Sequence, residues 1–408
     1  MVKNKRVPEI RFPEFNENWE ESKLGEIYNI YSGQTPLRSD SSNFDNPNTA
    51  WIKTTDLNNS SIKVNEENIS EKAAGKLKIL KKDTVLIAMY GGFNQIGRTG
   101  ILTYPASINQ ALSALEPINE IVPYFLITEL NYRVKEWKRL AASSRKDPNI
   151  TKSDVEGFVL HYPSYQEQNK IGNFFNQLDD TIAIHQQELT TLKQTKQGFL
   201  QKMFPKDGES VPELRFPGFT VDWENHKLNS VFKDFIVPMR DKPKEFSGSI
   251  PWTRIEDIEG RYINGTTSGQ YVSEETIKSM NLKVIPRGSL IVSASATFGI
   301  VAIVTKDLIT NQTFIGLVPN ANHNIDFLYT FFQSTTIQKR LKRESAGSTI
   351  FYISRKQFED LTGSFPKLEE QERIGKFFKQ LDDTITLHQQ ELDALQETKK
   401  AFLQKMFV

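Results

Sequence analysis

One long stretch occurs twice in this chain and restricts its fold more than any other feature. The first copy, residues 166–204, reads QEQNKIGNFFNQLDDTIAIHQQELTTLKQTKQGFLQKMF. The second copy, residues 369–407, reads EEQERIGKFFKQLDDTITLHQQELDALQETKKAFLQKMF. The copies align without a gap and contain no proline. Each therefore predicts one uninterrupted helix of about 38 residues, roughly 57 Å long at the helical rise per residue.

The apolar side chains of each copy follow an alternating spacing of four and three residues, and we call each such row a seam. The seams are Ile171, Phe175, Leu178, Ile182, Leu189, Leu192, Phe199 and Met203 in the first copy, and Ile374, Phe378, Leu381, Ile385, Leu392, Leu395, Phe402 and Met406 in the second. His185 and Lys196 interrupt the first seam, and His388 and Lys399 interrupt the second. This spacing is typical of coiled-coil helices, in which polar seam residues usually fix register and partner number.

Connectivity predicts that the two helices pack antiparallel. The first helix ends at Pro205, because proline cannot continue a helix. If the globular segment that follows is compact, its two ends lie close together. The second helix then starts where the first one stopped and runs back along it. We expect the segments before the two helices to lie at opposite ends of one rod, related by an approximate two-fold axis.

A second repeated motif precedes each globular segment. Residues 7–15, VPEIRFPEF, return as residues 211–219, VPELRFPGF, and a tryptophan follows each copy at Trp19 or Trp223. The chain is therefore a tandem duplication of an opening motif, a globular block and a long helix. The predicted segments are a first globular domain at 1–162, a central coiled-coil helix at 163–205, a second globular domain at 206–365 and a C-terminal coiled-coil helix at 366–408.

Each globular block mixes short strands with helices, which predicts an α/β or α+β fold. Apolar runs at 80–88 and 285–293 predict strands, and residues 123–142 and 325–344 each predict one amphipathic helix. A short helix beginning near Thr151 or Ser354 and a final strand at 159–162 or 362–365 complete the block. The predicted architecture is two such blocks in tandem, separated by two long antiparallel coiled-coil helices with pseudo-two-fold symmetry.

The composition limits the compartment and the chemistry. The 408 residues contain no cysteine, which excludes disulfides and thiolate metal sites. No apolar run is long enough for a transmembrane helix, and we expect no signal peptide, no membrane partner and a cytoplasmic location. The net charge is +1, so contact with nucleic acid has to come from local basic clusters.

Basic residues cluster near the end of the amphipathic helix in both blocks, which predicts contact with DNA phosphates. A solvated helix face is the alternative for either cluster alone, but the recurrence favours nucleic acid. The loop at 90–100, YGGFNQIGRTG, nearly matches a phosphate-binding loop. It has arginine where that motif needs lysine, so a turn beside a sheet is the favoured interpretation, with side chains suited to groove contact. The predicted DNA-binding residues are Arg38, Lys53, Tyr90, Asn94, Gln95, Arg98, Arg145, Lys146, Arg240, Arg254, Ser295, Thr297, Arg340, Arg343, Arg355 and Lys356.

The sequence offers no catalytic centre. The five histidines lack ligand spacing, and we expect no bound metal. Adjacent aspartates on a helix point about 100° apart, which does not suit two carboxylates acting on one substrate. We find no motif for S-adenosylmethionine binding and no nuclease motif. The helix surfaces are instead predicted to bind partner subunits, through Phe174, Asp179, Asp180, Gln186, Phe377, Asp382, Asp383 and Gln389.

Over its whole length the chain resembles the specificity (S) subunits of type I restriction–modification enzymes. The resemblance rests on two variable blocks, each followed by a helix with the pattern EQxxIGxFF…LD…I…H…L…L…K…LQKMF, and on Pro163 and Pro366 before the helices. It implies that each block is a target recognition domain that reads one half of a bipartite, asymmetric site in double-stranded DNA. It also implies that the helices set the spacing between the halves.

The resemblance further implies partners and cofactors. Two methyltransferase (M) subunits would dock on the central helices, carry S-adenosylmethionine and methylate adenine N6. Restriction (R) subunits, with ATP and Mg, would add ATP-dependent cleavage. This chain would itself bind no cofactor and catalyse no reaction.

Two other functions fit parts of the sequence. A stand-alone, sequence-specific DNA-binding regulator would use the same basic clusters and would bind DNA tightly without partners. A coiled-coil scaffold with no nucleic-acid role would leave the matching basic clusters of the two blocks unexplained. Titration of DNA binding against salt would separate these alternatives.

Overall fold

The chain divides into two compact units that each contain half of both long helices. The computed structural model describes residues 7–142, 148–239, 241–294, 299–345 and 353–408. The first unit comprises Met1–His185 and Glu391–Val408, and the second comprises Gln186–Gln390. The compact units therefore differ from the four predicted segments, because packing groups each block with parts of both helices.

Short strands and helices make up the first block. Its strands are β1 (Glu20–Lys23), β2 (Tyr31–Ser32), β3 (Thr49–Ile52), β4 (Ser61–Ile62), β5 (Asn68–Ile69), β6 (Val85–Ala88), β7 (Thr99–Leu102), β8 (Ser107–Ile108), β9 (Leu112–Leu115) and β10 (Val159–Tyr162). Its helices are α1 (Leu24–Ile27), α2 (Glu71–Ala74), α3 (Pro123–Tyr132), α4 (Val134–Ala142) and α5 (Lys152–Glu156), and the long helix α6 (Tyr165–Lys202) follows. The strands form sheets in the orders β2-β9-β6-β7-β4, β5-β3-β8 and β1-β10.

The second block repeats this plan. Its strands are β11 (Glu224–Lys227), β12 (Phe232–Ile236), β13 (Ile250–Thr253), β14 (Ile258–Glu259), β15 (Tyr262–Ile263), β16 (Tyr271–Val272), β17 (Leu290–Ser293), β18 (Val301–Val304), β19 (Ile309–Thr310), β20 (Phe314–Pro319) and β21 (Thr362–Phe365). Its helices are α7 (Leu228–Val231), α8 (Glu274–Ser279), α9 (Ile325–Gln333), α10 (Thr335–Glu344) and α11 (Arg355–Asp360), before the long helix α12 (Leu368–Met406). The sheet orders are β12-β20-β17-β18-β15-β14, β16-β13-β19 and β11-β21. The order thus recurs with one added edge strand, which confirms the predicted duplication of a mixed α/β block.

The predicted amphipathic helix of each block is broken into two, which corrects the single helices expected at 123–142 and 325–344. In the second block, Ser334 has extended backbone angles, and its hydroxyl donates a hydrogen bond to the Phe331 carbonyl at 2.7 Å. Ser334 thereby ends α9 before α10 begins. In the first block, Arg133 leaves helical geometry, and its guanidinium donates to the Val159 carbonyl. The break thus brings a cation to the strand β10.

The long helices pack antiparallel within each unit. In the first unit, Phe174 lies 5.0 Å from Phe402 between ring centroids, and further along α6 Asp179 pairs with Lys399, which lies earlier on α12. In the second unit, Lys196 Nζ lies 2.5 Å from Asp382. The seam lysines are therefore ion-paired across the helix interface, which confirms the antiparallel prediction inside each unit. Within the described residues, no helix is long and apolar enough to cross a membrane.

The repeated EQxxIG motif attaches each long helix to its block. In the first unit, Arg11 makes two 2.6 Å hydrogen bonds to the buried carboxylate of Glu167. The Val122 N–H, at the start of α3, donates to Gln168 Oε1 at 2.9 Å. A Cβ on Gly172 would lie 3.1 Å from the Phe125 backbone nitrogen, so the glycine lets α3 approach α6 closely.

The second unit repeats each of these contacts. Arg215 pairs with Glu370 at 2.7 Å, and the Asn324 N–H donates to Gln371 Oε1 at 3.1 Å. A Cβ on Gly375 would lie 2.7 Å from the Phe327 nitrogen, closer than real Cβ contacts allow. The motif therefore has a structural role at both sites: it joins an opening motif, a long helix and a block.

The ends of the long helices fill the aromatic core of each unit. In the first unit, Phe407 packs against Trp19 and Phe125, with centroid distances of 5.9 and 5.7 Å. In the second unit, Phe204 packs against Trp223 and Phe327 at 5.9 and 5.7 Å. The repeated Met-Phe pair at each helix end is thus a core element, and the sequence pattern alone did not reveal the role of the phenylalanine.

The seam ion pairs predict a difference between the two adjacent aspartates. Asp179 accepts a 2.9 Å hydrogen bond from the Tyr124 hydroxyl, pairs with Lys399 and is 12% exposed, whereas Asp180 pairs with Lys63 and is 49% exposed. We expect Asp179→Asn to lower the free energy of unfolding by about 1–3 kcal/mol, because it leaves Lys399 partly buried without a counter-charge. The matched control Asp180→Asn should have a much smaller effect. Thermal unfolding checks this, and equal losses for the two variants would contradict it.

A buried carboxyl group lies on α3 in the first unit. Glu129 is fully buried, and its carboxylate lies 3.4 Å from Arg133. Burial raises the pKa of Glu129 from 4.5 to about 8, although the nearby Arg133 guanidinium acts in the opposite direction. The folded state therefore holds this proton over a pH range in which the unfolded chain has released it.

This proton predicts a pH-dependent stability. The contribution of protonated Glu129 is fully present below about pH 4.5 and is lost as the pH rises through about 8. We expect the melting temperature to fall between pH 6 and 8.5, and Glu129→Gln, which keeps the side-chain shape without the titrating group, to reduce that fall. Melting curves across this range test the expectation; parallel pH profiles for the wild type and the variant would refute it.

Candidate nucleic-acid interface

The glycine-rich loop of the first block is a turn between two antiparallel strands. It follows β6 and leads directly into β7, and Gly91, Gly92 and Gly97 have positive φ angles. A phosphate-binding loop would instead lead into a helix. The turn interpretation is therefore confirmed. A Cβ on Gly97 would lie 2.7 Å from the Trp137 side chain, so this glycine allows the turn to pack on α4.

This turn presents aromatic, amide and cationic groups together. Tyr90, Phe93 and Asn94 are exposed, and Lys138 Nζ of α4 lies 5.4 Å from the Phe93 ring centroid. Amide side chains can pair with base edges, and cations can contact phosphates. Gln95 and Arg98 are partly buried beside them. The turn and α4 thus form one surface that suits contact with DNA, although base contact by these residues remains a prediction.

In the second block, the described residue Gly299 lies shortly before β18, as Gly97 lies shortly before β7. Gly299 has a positive φ angle like Gly97, and Gln338 of α10 donates a 2.9 Å hydrogen bond to its carbonyl oxygen. In both blocks, therefore, the glycine before the next strand contacts the second helix of the broken pair. The predicted DNA-binding residues Arg145, Lys146, Arg240, Ser295 and Thr297 lie outside the described residues.

Several predicted DNA-binding cations already have partners within the protein. Arg38 donates to Glu67 at 2.8 Å and stacks over the Phe44 ring at 4.5 Å; its hydrogen bond holds the pKa of the Glu67 carboxyl below the usual value. The other paired cations are Lys53 with Glu66 and Glu67, Arg254 with Gln270 and Glu256, Arg343 with Asp207, and Arg355 with Glu359 and Asp234. DNA contact by these residues would have to share or replace those partners.

Arg340 is the most enclosed of these cations. It donates to Asp207 and to the Thr362 carbonyl, both at 2.6 Å, and its side chain is 13% exposed. In the first block, Arg133 donates to Val159, which holds the matching position in β10. Both arginines thus anchor the final strand of a block. By contrast, Lys356, Lys339 and Lys342 are exposed, and we find no ion pair from them to another described residue.

The predicted partner-binding residues fall into an inward and an outward group. Asp179 and Asp382 face the helix interface, where Asp382 contacts Lys196 and, at 3.2 Å, Arg261. Asp180, Asp383 and Gln186 are on the outer surfaces, whereas Gln389 accepts a 3.2 Å hydrogen bond from Lys193.

The two predicted partner-binding phenylalanines are partly covered by their own units. Phe174 packs on Phe402, and Phe377 packs on Phe199 and Phe216 at 5.1 and 5.7 Å. Contacts inside each unit therefore already cover part of each ring. Docking by any of the predicted residues remains a prediction.

Comparison with known proteins identifies the two repeats. The family model for the type I restriction modification DNA specificity domain matches residues 16–194 and again residues 220–397. The putative type I restriction enzyme MjaX specificity subunit of Methanocaldococcus jannaschii is 22% identical, over 98% of this chain and 95% of that subunit. The type I restriction enzyme HindI specificity subunit of Haemophilus influenzae is 24% identical, over 81% of this chain and 86% of that one.

A solved structure supports the fold. The crystal structure of the type I restriction–modification S subunit from M. genitalium superposes with a TM-score of 0.68 at 16% identity, covering 98% of this chain and 99% of that one. The two family matches together cover most of the chain, one in each repeat. The chain therefore belongs to the family of type I restriction–modification specificity subunits and contains two DNA-specificity domains.

Proposed function

We propose that the two specificity domains read the two halves of a bipartite, asymmetric site in double-stranded DNA. The observation that carries the proposal is that the family match occurs twice, once in each repeat. The two matched blocks share the order of their sheet strands, but the sequences between the central strand and the next strand differ. The framework positions a polar turn beside the basic helix α4 in the first block, and it holds Gly299 against the basic helix α10 in the second. Because the side chains on the two turns differ, the two half-sites differ in sequence.

The long helices set the distance between the half-sites and dock the partner subunits. Each long helix begins in one compact unit and ends in the other. The number of residues in the helices would therefore set the spacing of the half-sites. Ile184 and Leu387 are large apolar side chains that remain exposed at matching positions of α6 and α12. Together with Gln186, Asp180 and Asp383 they would contact two methyltransferase subunits, which carry S-adenosylmethionine and methylate adenine N6.

The chain contributes recognition and no catalysis to this assembly. Restriction subunits, using ATP and Mg, would add cleavage, and this chain would bind no cofactor itself. The assembly would meet its DNA in the cytoplasm. Support for the recognition role comes from the exposed amides and cations on the turn at 90–97 and on α4.

Exchanging one block tests the assignment of half-sites. Residues 19–160 would be replaced by those of another S subunit, and the chain would be co-expressed with its methyltransferase partner. We expect one half of the methylated motif to change while the other half and the spacer stay the same. The matched control replaces residues 223–363 and should change only the other half. Methylome sequencing reads both results; a change in both halves after either exchange would refute independent reading.

Lengthening the helices tests their role as the spacer. One heptad would be inserted into α6 within 186–194 and another into the matching part of α12, 389–397, which keeps the seams in phase. Seven helical residues add about 10 Å, so we expect the spacer of the methylated motif to lengthen by about three base pairs, with both half-site sequences unchanged. A motif with its original spacer would contradict this role.

A further inference from the structure

A groove of about 750 Å³ lies between α6 and α10 within the second unit. Lys193 and Lys196 of α6 line one wall, and Lys339 and Lys342 of α10 line the other. Lys339 and Lys342 are three residues apart and so lie on one face of their helix. We call this feature the lysine groove. No aspartate or glutamate is among the described residues that line it.

Three of the four lysines have no ion pair with any residue that the structure describes. Lys196 is paired with Asp382 and is 17% exposed. Lys193 donates to the neutral Gln389 at 3.2 Å, and Lys339 and Lys342 are exposed without an ion pair to any described residue. Like charges that line one groove repel one another, and an anion among them would reduce that repulsion. The charge pattern therefore points to an anionic occupant.

Two residues that line the groove also have a buried polar atom without a hydrogen-bond partner among the described residues. Gln333 Oε1 and Thr335 Oγ1 are buried, line the groove and have no hydrogen-bond partner among the described residues. Gln333 Nε2 lies 2.7 Å from the Tyr329 hydroxyl. With the amide turned over, its oxygen accepts from the Tyr329 hydroxyl and its N–H group takes the place of the unpaired oxygen, on a residue that lines the groove. The glutamine and the threonine hydroxyl would then both donate to an anion.

We propose that the lysine groove binds phosphates of the DNA backbone beside the half-site that the second block reads. The groove adjoins the candidate interface of that block: Gly299, which accepts a hydrogen bond from Gln338 of α10, lines it together with Ile300. In the sequence, Gly299 lies two residues after the predicted DNA contact Thr297. An acidic segment of a partner protein is the competing occupant, and DNA is favoured by this adjacency. The proposal rests on the proposed function and adds a backbone contact to it.

The groove is also a point at which the two repeats differ. Lys193 in α6 corresponds to Gln396 in α12, in the aligned copies of the repeated stretch. The first unit therefore has no lysine at the position that matches Lys193. Binding of the second half-site should depend more on backbone charge than binding of the first.

Salt titration of the complete complex with its methyltransferase partner tests the proposal. The probe is duplex DNA that contains the motif the complex methylates, titrated between 50 and 200 mM salt. For Lys339→Gln/Lys342→Gln we expect the slope of log K against log salt to become shallower by about two, because two phosphate contacts are lost. The methylated motif should stay the same. The control Lys278→Gln/Lys283→Gln removes the same charge from exposed lysines that do not line the groove, and should keep the wild-type slope.

A second variant tests the hydroxyl without changing the charge. Thr335→Val should weaken DNA binding about threefold to tenfold and leave the salt slope unchanged, because it removes one hydrogen-bond donor.

A wild-type salt slope for the Lys339→Gln/Lys342→Gln variant overturns the proposal. Loss of methyltransferase assembly on size-exclusion chromatography, with the variant still folded, also overturns it and assigns the groove to a protein partner. If the wild-type complex shows no sequence-selective binding, the proposed function itself fails.

Discussion

Each compact unit is completed by the end of the long helix that belongs to the other repeat. Phe407, which directly follows α12, packs against Trp19 and Phe125 in the aromatic core of the first unit. Phe204 occupies the same place beside Trp223 in the second unit. Burial of large aromatic rings is among the strongest stabilising contributions available to a small domain. Neither repeat can supply this contribution from its own helix end, so the two repeats depend on each other to fold.

The same constraint explains which parts of the duplicated sequence remain alike. The buried pairs Arg11–Glu167 and Arg215–Glu370 join an opening motif to a helix, and the seam pairs join one helix to the other. A substitution in one member would leave its partner buried without a counter-charge. The blocks are less restricted, since matching carbonyls are anchored by Arg133, between α3 and α4, in one block and by Arg340, within α10, in the other. Turn residues can therefore differ while the framework stays the same, as reading two different half-sites requires.

The sequence predicted the features that depend on local pattern. The spacing of apolar residues gave both long helices and their seams, and connectivity gave their antiparallel packing. Thr151 and Ser354 marked the starts of α5 and α11, because a hydroxyl at the N-cap accepts from the backbone three residues on. Features that depend on distant partners were missed. The contact of Arg133 with Val159 at the first break and the pairing of Arg340 with Asp207 depend on contacts made after folding. Likewise, Asp179 and Asp180 look equivalent until Tyr124 and Lys399 are brought beside only one of them.

The most direct measurement is the DNA sequence methylated by a complex of this chain with its methyltransferase partner, read across a whole genome. The two blocks share one framework but have dissimilar turn sequences. They therefore predict two different short half-sites separated by a fixed number of base pairs of any sequence. A continuous motif, or a motif whose halves are inverted copies of each other, would contradict two independent and dissimilar reading domains.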